Sequence, residues 1–191
     1  MLLSDLNGKL LLATSSLQER QFKDSVVLLC HHDEEGSMGL IINRPQELTI
    51  RDVLEDIRLS PNREQLNQLP EQYLVSYEGG PVDLFRGFVL HDSWHTYEST
   101  MQITTELHLT TSRDVLEDIS QGNGPEYFMF ILGYTGWSSG QLEQELMDND
   151  WLIVDSSQHL VFQVAAEHRW VLGAQSMGVH KSHLSSLVGH A

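Results

Sequence analysis

The sequence predicts an α+β domain built on a mainly antiparallel sheet. Apolar runs recur at 26–30, 38–42 and 127–134, each too short for a typical helix. Strict alternation sets Ile103, Leu107 and Leu109 against Thr104, Glu106 and His108, the pattern of a half-buried strand. Only three or four short helices accompany these many strands, which separates the chain from the regular strand-helix alternation of a parallel sheet.

In chain order, residues 8–12 form a short apolar strand and 14–24 a polar stretch. Runs 26–30 and 38–42 make a hairpin, and their continuous apolarity predicts burial on both faces. They are joined by His31-His32-Asp33-Glu34-Glu35-Gly36-Ser37, where Gly36 supplies a positive φ. Thr49-Ile50-Arg51-Asp52 matches the Ser/Thr-x-x-Asp/Glu helix start, and Val53, Leu54 and Ile57 recur on one face, so a helix is expected at about 50–58. Residues 61–70 read as a polar loop, and 73–77 and 87–91 as strands on either side of the turn Gly79-Gly80-Pro81. Thr111 is placed to cap a helix over 113–119, which Gly122-Asn123-Gly124-Pro125 ends. After the buried strand 127–134, Ser138 at an N-cap with Gln141 three residues on forms a capping box for the next helix. Runs 151–154 and 160–164 read as a closing hairpin, 167–175 as the final helix and 179–191 as an irregular tail.

A length of 191 residues suits one domain, 1–191. No apolar run approaches the roughly 18 residues that span a bilayer, and no basic leader precedes the first leucines, so a cytoplasmic protein without a membrane role is expected. Twenty-seven acidic against eleven basic residues give a formal charge of -16, with the basic residues scattered, which disfavours direct contact with nucleic acid. Ten histidines would bring -16 to -6 if all were protonated, so mild acid favours association and a homo-oligomer is compatible with the composition. The single cysteine, Cys30, lies in an apolar run and reads as a small buried hydrophobe.

One heptapeptide occurs twice: Arg51-Asp52-Val53-Leu54-Glu55-Asp56-Ile57 returns letter for letter as residues 113–119, each copy with a threonine two residues upstream. Either an internal duplication or convergence on a good amphipathic helix accounts for it.

The stretch Leu132-Gly133-Tyr134-Thr135-Gly136-Trp137-Ser138-Ser139-Gly140-Gln141-Leu142-Glu143-Gln144-Glu145-Leu146 leads from an apolar strand through a glycine-rich turn into a helix. Together with Met38-Gly39-Leu40-Ile41-Ile42-Asn43-Arg44-Pro45, Gly79-Gly80-Pro81-Val82 and Thr110-Thr111-Ser112-Arg113-Asp114-Val115-Leu116, it resembles the YqgE/AlgH family of bacterial proteins. The resemblance runs from about residue 8 to 191. It implies a bifurcated, barrel-like sheet with helices packed around it. It implies no reaction, since the family has none established, although some members are described as transcriptional regulators. Ser15-Ser16, where the family usually has a proline, and Thr135, Ser138 and Ser139, where small residues are usual, depart from its pattern.

Two functional readings follow. The first is a non-enzymatic regulatory or interaction protein that affects transcription only indirectly, through an unknown protein partner. The second is a small-molecule-binding protein or enzyme with a pocket near the turn 133–140. Its binding residues would be Asn43, Arg44, Gly79, Gly80, His91, Arg113, Gly136, Trp137, Ser138 and Gln141. Free N–H groups at a glycine-rich helix start can hold an anion, but the glycine spacing matches no phosphate loop, and Glu143 and Glu145 oppose one. Arg44 and Arg113 are suited to bind a carboxylate or to pair with an internal acid. The clusters at 31–35 and 91–95 fall in a hairpin tip and a loop, so no metal, catalytic residue or cofactor is assigned.

Overall fold

The computed structural model describes residues 6–92 and 95–178. Ten strands form one curled half-barrel sheet with short helices around it. The strands are β1 (Leu10–Ala13), β2 (Val26–Asp33), β3 (Gly36–Ile41), β4 (Pro45–Thr49), β5 (Val75–Glu78), β6 (Val82–Asp92), β7 (Thr100–Gln102), β8 (Leu107–Thr110), β9 (Phe128–Ser138) and β10 (Trp151–Val154). The helices are α1 (Ile50–Asp56), α2 (Arg63–Leu66), α3 (Glu71–Leu74), α4 (Asp114–Gln121), α5 (Gln141–Met147) and α6 (Ala166–Ser176). Along the sheet the order is β10-β1-β2-β3-β9-β6-β8-β7, with β5 pairing β9 and carrying β4. Every pairing among the described residues is antiparallel except β5 with β9. Among the described residues, no helix is long and apolar enough to cross a membrane.

The apolar runs are continuous because both faces of the sheet are covered. Val26, Leu28 and Cys30 of β2 point into the hollow of the curl, with Leu10 and Leu12 of β1, Leu90 of β6 and Ile131 of β9. Val27 and Leu29 point outward, under Trp137, Leu142 and Trp151. On the other half of the sheet, Val89, Phe128 and Phe130 face outward beneath α1 and α4, which contribute Ile50, Leu54, Val115 and Ile119. Cys30 is buried as the sequence implied, and burial pushes its thiol far above the ordinary range.

Helix α6 closes the inner core with a buried arginine. The Arg169 side chain donates from Nε to the Val164 carbonyl at 3.0 Å and from Nη1 to the Ile42 carbonyl, and its guanidinium lies 5.5 Å from the centre of the Tyr77 ring. Burial lowers its pKa. Carbonyl oxygens and an aromatic face stabilise the charge here.

Several boundaries differ from the sequence reading for local reasons. The 26–42 hairpin turns over Glu34 and Glu35 alone, so His31, His32 and Asp33 belong to β2. Residues 61–70 contain α2, whose Asn62 side chain accepts from the Gln65 N–H at 3.3 Å and whose Leu66 is buried. The strand expected at 73–77 starts only at Val75, because 71–74 form α3 and stack Tyr73 on Phe128. The alternating run 103–109 is a turn followed by β8: the Thr104 hydroxyl accepts from the N–H groups of Glu106 and Leu107 and bends the chain there. No closing hairpin forms at 151–164. Strand β10 pairs β1 instead, and His159–Gln163 is a π-helical turn that buries Leu160, Val161 and Phe162 together. Its start is bonded by the Ser157 hydroxyl, which accepts from the Leu160 N–H. The capping box at Thr49 and Asp52 forms as expected. Thr111 does not cap α4, whose N-cap position is Arg113 without a side-chain bond. The final helix extends one residue past each expected end, and the tail 179–191 lies outside the described residues.

The sheet forks at β9. Strand β6 takes one edge of β9 along residues 128–132 and again at Tyr134. The other edge is therefore shared: β5 pairs residues 130–132 and β3 pairs residues 135–138. Gly79, Gly80 and Gly133 meet where one partner replaces the other. A Cβ on Gly79 would lie 2.3 Å from the Gly133 carbonyl oxygen, and one on Gly80 would lie 2.3 Å from the Tyr134 backbone. Gly79→Ala is therefore expected to destabilise the chain by about 1–3 kcal/mol, because backbone must move to admit the methyl group. Gly136→Ala meets nothing closer than 3.7 Å and should leave the urea midpoint unchanged or slightly raised. Equal midpoints for the two variants would contradict the crossing.

Candidate functional site

The glycine-rich turn is occupied by an internal polar network. Strand β9 runs through Ser138, so Ser138 is not the N-cap of α5; that position belongs to Gly140, in the left-handed region at φ 75. Ser138 is therefore not the cap its spacing suggested: Ser139 and Gly140 intervene before the first helical residue, and the Ser138 hydroxyl bonds the Gln141 side chain rather than a helix N–H. Half of the expected box survives: the Gln141 side-chain oxygen accepts from the Ser138 N–H at 3.0 Å and from its hydroxyl at 3.2 Å. Gln141 Nε2 then donates to Glu145 at 2.9 Å, and the other Glu145 oxygen accepts from both indoles, Trp137 and Trp151, at 2.8 Å each. The two rings meet edge to face at 6.0 Å. Glu145, which the sequence reading treated only as a charge opposing an anion, holds both tryptophans of the outer core.

The other sequence-predicted residues are likewise engaged within the chain. Asn43 accepts from the Val26 N–H at 2.8 Å and donates to the Asp24 carbonyl at 2.9 Å, fixing the start of β2. Arg44 pairs with Glu78 and donates to the Lys23 carbonyl, both at 3.3 Å. Gly79 and Gly80 form the fork, and Gly136 sits opposite Met38 in the ladder.

His91 is fully buried. Its Nδ1 lies 2.7 Å from the Asp92 carbonyl, so that nitrogen carries the proton and donates, leaving Nε2 to accept from the Thr110 hydroxyl at 2.8 Å. Thr110 in turn accepts from Thr100, which accepts from the Tyr97 N–H.

Neighbours in sequence are separated in the fold. His31 and His32 project to opposite faces of β2: His31 is exposed beside Asp33, whereas His32 is buried with Nδ1 2.7 Å from the Ser37 hydroxyl and Nε2 3.7 Å from Glu143. His32, Ser37 and Glu143 have the composition of a hydrolytic triad, but the serine is buried and lines none of the described clefts. Among the described residues, no group of three or more His, Cys, Asp or Glu is placed to hold a metal. Ser93 and Trp94 of the 91–95 cluster lie outside the described residues.

An open cleft of about 640 Å³ lies elsewhere, between the two copies of the repeated heptapeptide. Its floor is the outer face of β6 and β9, with Val89, Phe130 and Leu132. One wall is α1, with Asp52, Val53, Asp56 and Ile57; the other is the start of α4, with Ser112, Arg113 and Leu116. Of the ten residues predicted from sequence, Arg113 alone lines it. Arg113 also pairs with Glu117 at 2.9 Å.

The identical heptapeptides face the core differently. The first copy buries Leu54 and turns Val53 and Ile57 to the cleft; the second buries Val115 and Ile119 and turns Leu116 to it. At the lip stands Phe85, 95% exposed, with Leu84 beside it. Between the pairs Val82 with Tyr134 and Gly87 with Leu132, β6 advances five residues while β9 advances two, so residues 83–86 bulge from the ladder with Asp83 at φ 47. The sequence carried a signal for this: an apolar pair flanked by charges in Asp83-Leu84-Phe85-Arg86, ahead of the strand expected at 87–91.

Two outcomes test this description. Because the Ser138 hydroxyl caps nothing, Ser138→Ala should cost under about 0.5 kcal/mol, whereas Glu145→Ala leaves two buried indole N–H groups unpaired and should cost about 1–3 kcal/mol in denaturant titrations. Burial lowers the His91 pKa below its ordinary 6.5. The unfolded chain then takes up a proton near pH 6.5 that the folded chain refuses. The His91 contribution is thus present above about pH 6.5 and lost as pH falls from there toward the folded value. Unfolding free energies from about pH 7.5 to 5.5 should fall more steeply for the parent than for His91→Gln.

The DUF179, AlgH-like, family model matches residues 10–182. A UPF0301 protein of Pseudoalteromonas translucida is 39% identical over 189 residues, covering 99% of this chain and 100% of that one, and one of Paraburkholderia phymatum is 42% identical over 188 residues, covering 98% and 96%. The solution structure of the AlgH protein from Pseudomonas aeruginosa superposes with a TM-score of 0.78 at 40% identity, over 97% of this chain and 96% of that one. A Corynebacterium diphtheriae protein, DIP2367, shares the fold at a TM-score of 0.69 and 16% identity, over 97% and 92%. With the model spanning both copies of the heptapeptide, the fork and the glycine-rich turn, the chain belongs to the AlgH-like, UPF0301, family.

Proposed function

We propose that this chain is a non-enzymatic regulatory protein of the cytoplasm that acts by binding other proteins. The observation that carries this reading is Phe85, a large aromatic side chain held almost wholly in solvent on a bulge beside an open apolar cleft. Exposed aromatic groups beside concave apolar surface are the usual anchors of protein interfaces. The residues best suited to chemistry support the same reading, since His91, Arg44 and Glu145 are engaged by internal partners. An effect on transcription would pass through a protein partner, because a formal charge of -16 opposes the phosphate backbone. The alternative, a ligand pocket at 133–140, has less support, because that turn is filled by the tryptophan–Glu145 network and the strand crossing.

The test is affinity capture from cells with the parent chain and with Phe85→Ser. The variant should keep the parent's unfolding midpoint, because position 85 packs against little. A defined set of proteins enriched with the parent and lost with the variant is expected. Identical capture by both chains, together with a metabolite that raises the parent's midpoint in a thermal-shift screen, would replace this reading with the ligand-binding one.

A further inference from the structure

We infer that the cleft between α1 and α4 receives a cationic amphipathic segment of a partner protein, one or more large apolar side chains seated between lysines or arginines. This rests on the interaction reading above and names the chemistry of the partner. The floor and lower walls, Val53, Ile57, Val89, Leu116, Phe130 and Leu132, demand an apolar insert. The cleft volume, about 640 Å³, falls within the roughly 300–1,000 Å³ of ordinary binding sites. The occupant must reach past the cleft, because Phe85 at its lip offers apolar surface outside it. That favours a chain segment over a small molecule.

Charge selects the sign of the segment. Asp52 and Asp56 of α1 look into the cleft, and Asp52 is kept ionised by its bonds from the Thr49 hydroxyl and N–H. Among the described residues, the one cation lining the cleft, Arg113, already pairs with Glu117, and the nearby Arg51 is turned to Asn67. The rim is therefore net acidic on a chain of formal charge -16, which attracts basic partners and repels acidic ones. A second copy of this chain would bring the same acidic rim against itself.

The experiment uses the full chain and two synthetic 14-residue peptides with the same helical leucine pattern, one with lysine and one with glutamate at the polar positions, followed by fluorescence anisotropy. The lysine peptide should bind saturably and the glutamate peptide should not. Phe85→Ser and Asp56→Lys, checked for unchanged unfolding midpoints, should each weaken the lysine peptide by about tenfold or more. Equal affinity for parent and both variants would mean attraction to overall charge alone and would overturn the assignment. So would preference for the glutamate peptide, or a concentration-dependent dimer of the parent that Phe85→Ser abolishes in sedimentation. If the peptides fail while Phe85-dependent proteins are still captured from cells, the cationic segment is wrong and the interaction reading stands.

Discussion

The structure depends on the sharing of one edge of β9 by two strands. An edge offers a single row of hydrogen-bonding groups, so β5 must leave before β3 can pair. The exchange happens within about two residues of β9, and it requires two backbones to pass at a separation that no Cβ tolerates. Gly79, Gly80 and Gly133 supply that clearance. The Gly79 N–H still donates to Leu132, and its carbonyl accepts from the Ile41 N–H, so Gly79 stays bonded on both sides through the crossing.

Forking produces the curl, and the curl produces three apolar layers. One half of the sheet, β10 to β3, and the other, β6 to β7, fold toward each other around β9 and enclose the inner core, which α6 closes through Arg169. Each half then has an outer face to cover. Helix α5 and the tryptophan pair cover the first, with Glu145 satisfying both indoles. Helices α1 and α4 cover the second without meeting closely, and the space between them is the cleft. The candidate interface is thus a product of the layering: a sheet face wider than the two short helices laid over it.

The repeated heptapeptide shows how little a local sequence decides about orientation. Both copies are helical, as their periodicity implied, yet the first buries its leucine and the second its valine and isoleucine. Their starts differ as well. Thr49 makes a full capping box with Asp52, while Thr111, at the same spacing, makes none. A one-residue rotation of about 100° separates the two burial patterns, and it is fixed by where each helix joins the sheet. Whether the copies arose by duplication or convergence, their present roles are distinct.

Local pattern determined what depends on local chemistry: the β-rich runs at 26–30, 38–42 and 127–134, the burial of Cys30, the helix after Thr49, the final helix and the family itself. It placed strand ends poorly at 73–77 and 103–109 and missed the turn at 159–163. There, bonds accepted by the Thr104 and Ser157 hydroxyls, the stacking of Tyr73 of α3 on Phe128 and burial of three successive apolar residues outweighed the strand patterns. Of the site, sequence could mark reactive residue types but not what each one touches. Ser138 has the spacing of a cap yet stays in the sheet, and His31 and His32 are adjacent in the chain yet face opposite sides of β2. Only the tertiary structure decided that Gly79 and Gly133 meet, that Glu145 joins two tryptophans and that Phe85 stands beside a cleft, because each depends on residues brought together by strand pairing across the whole chain.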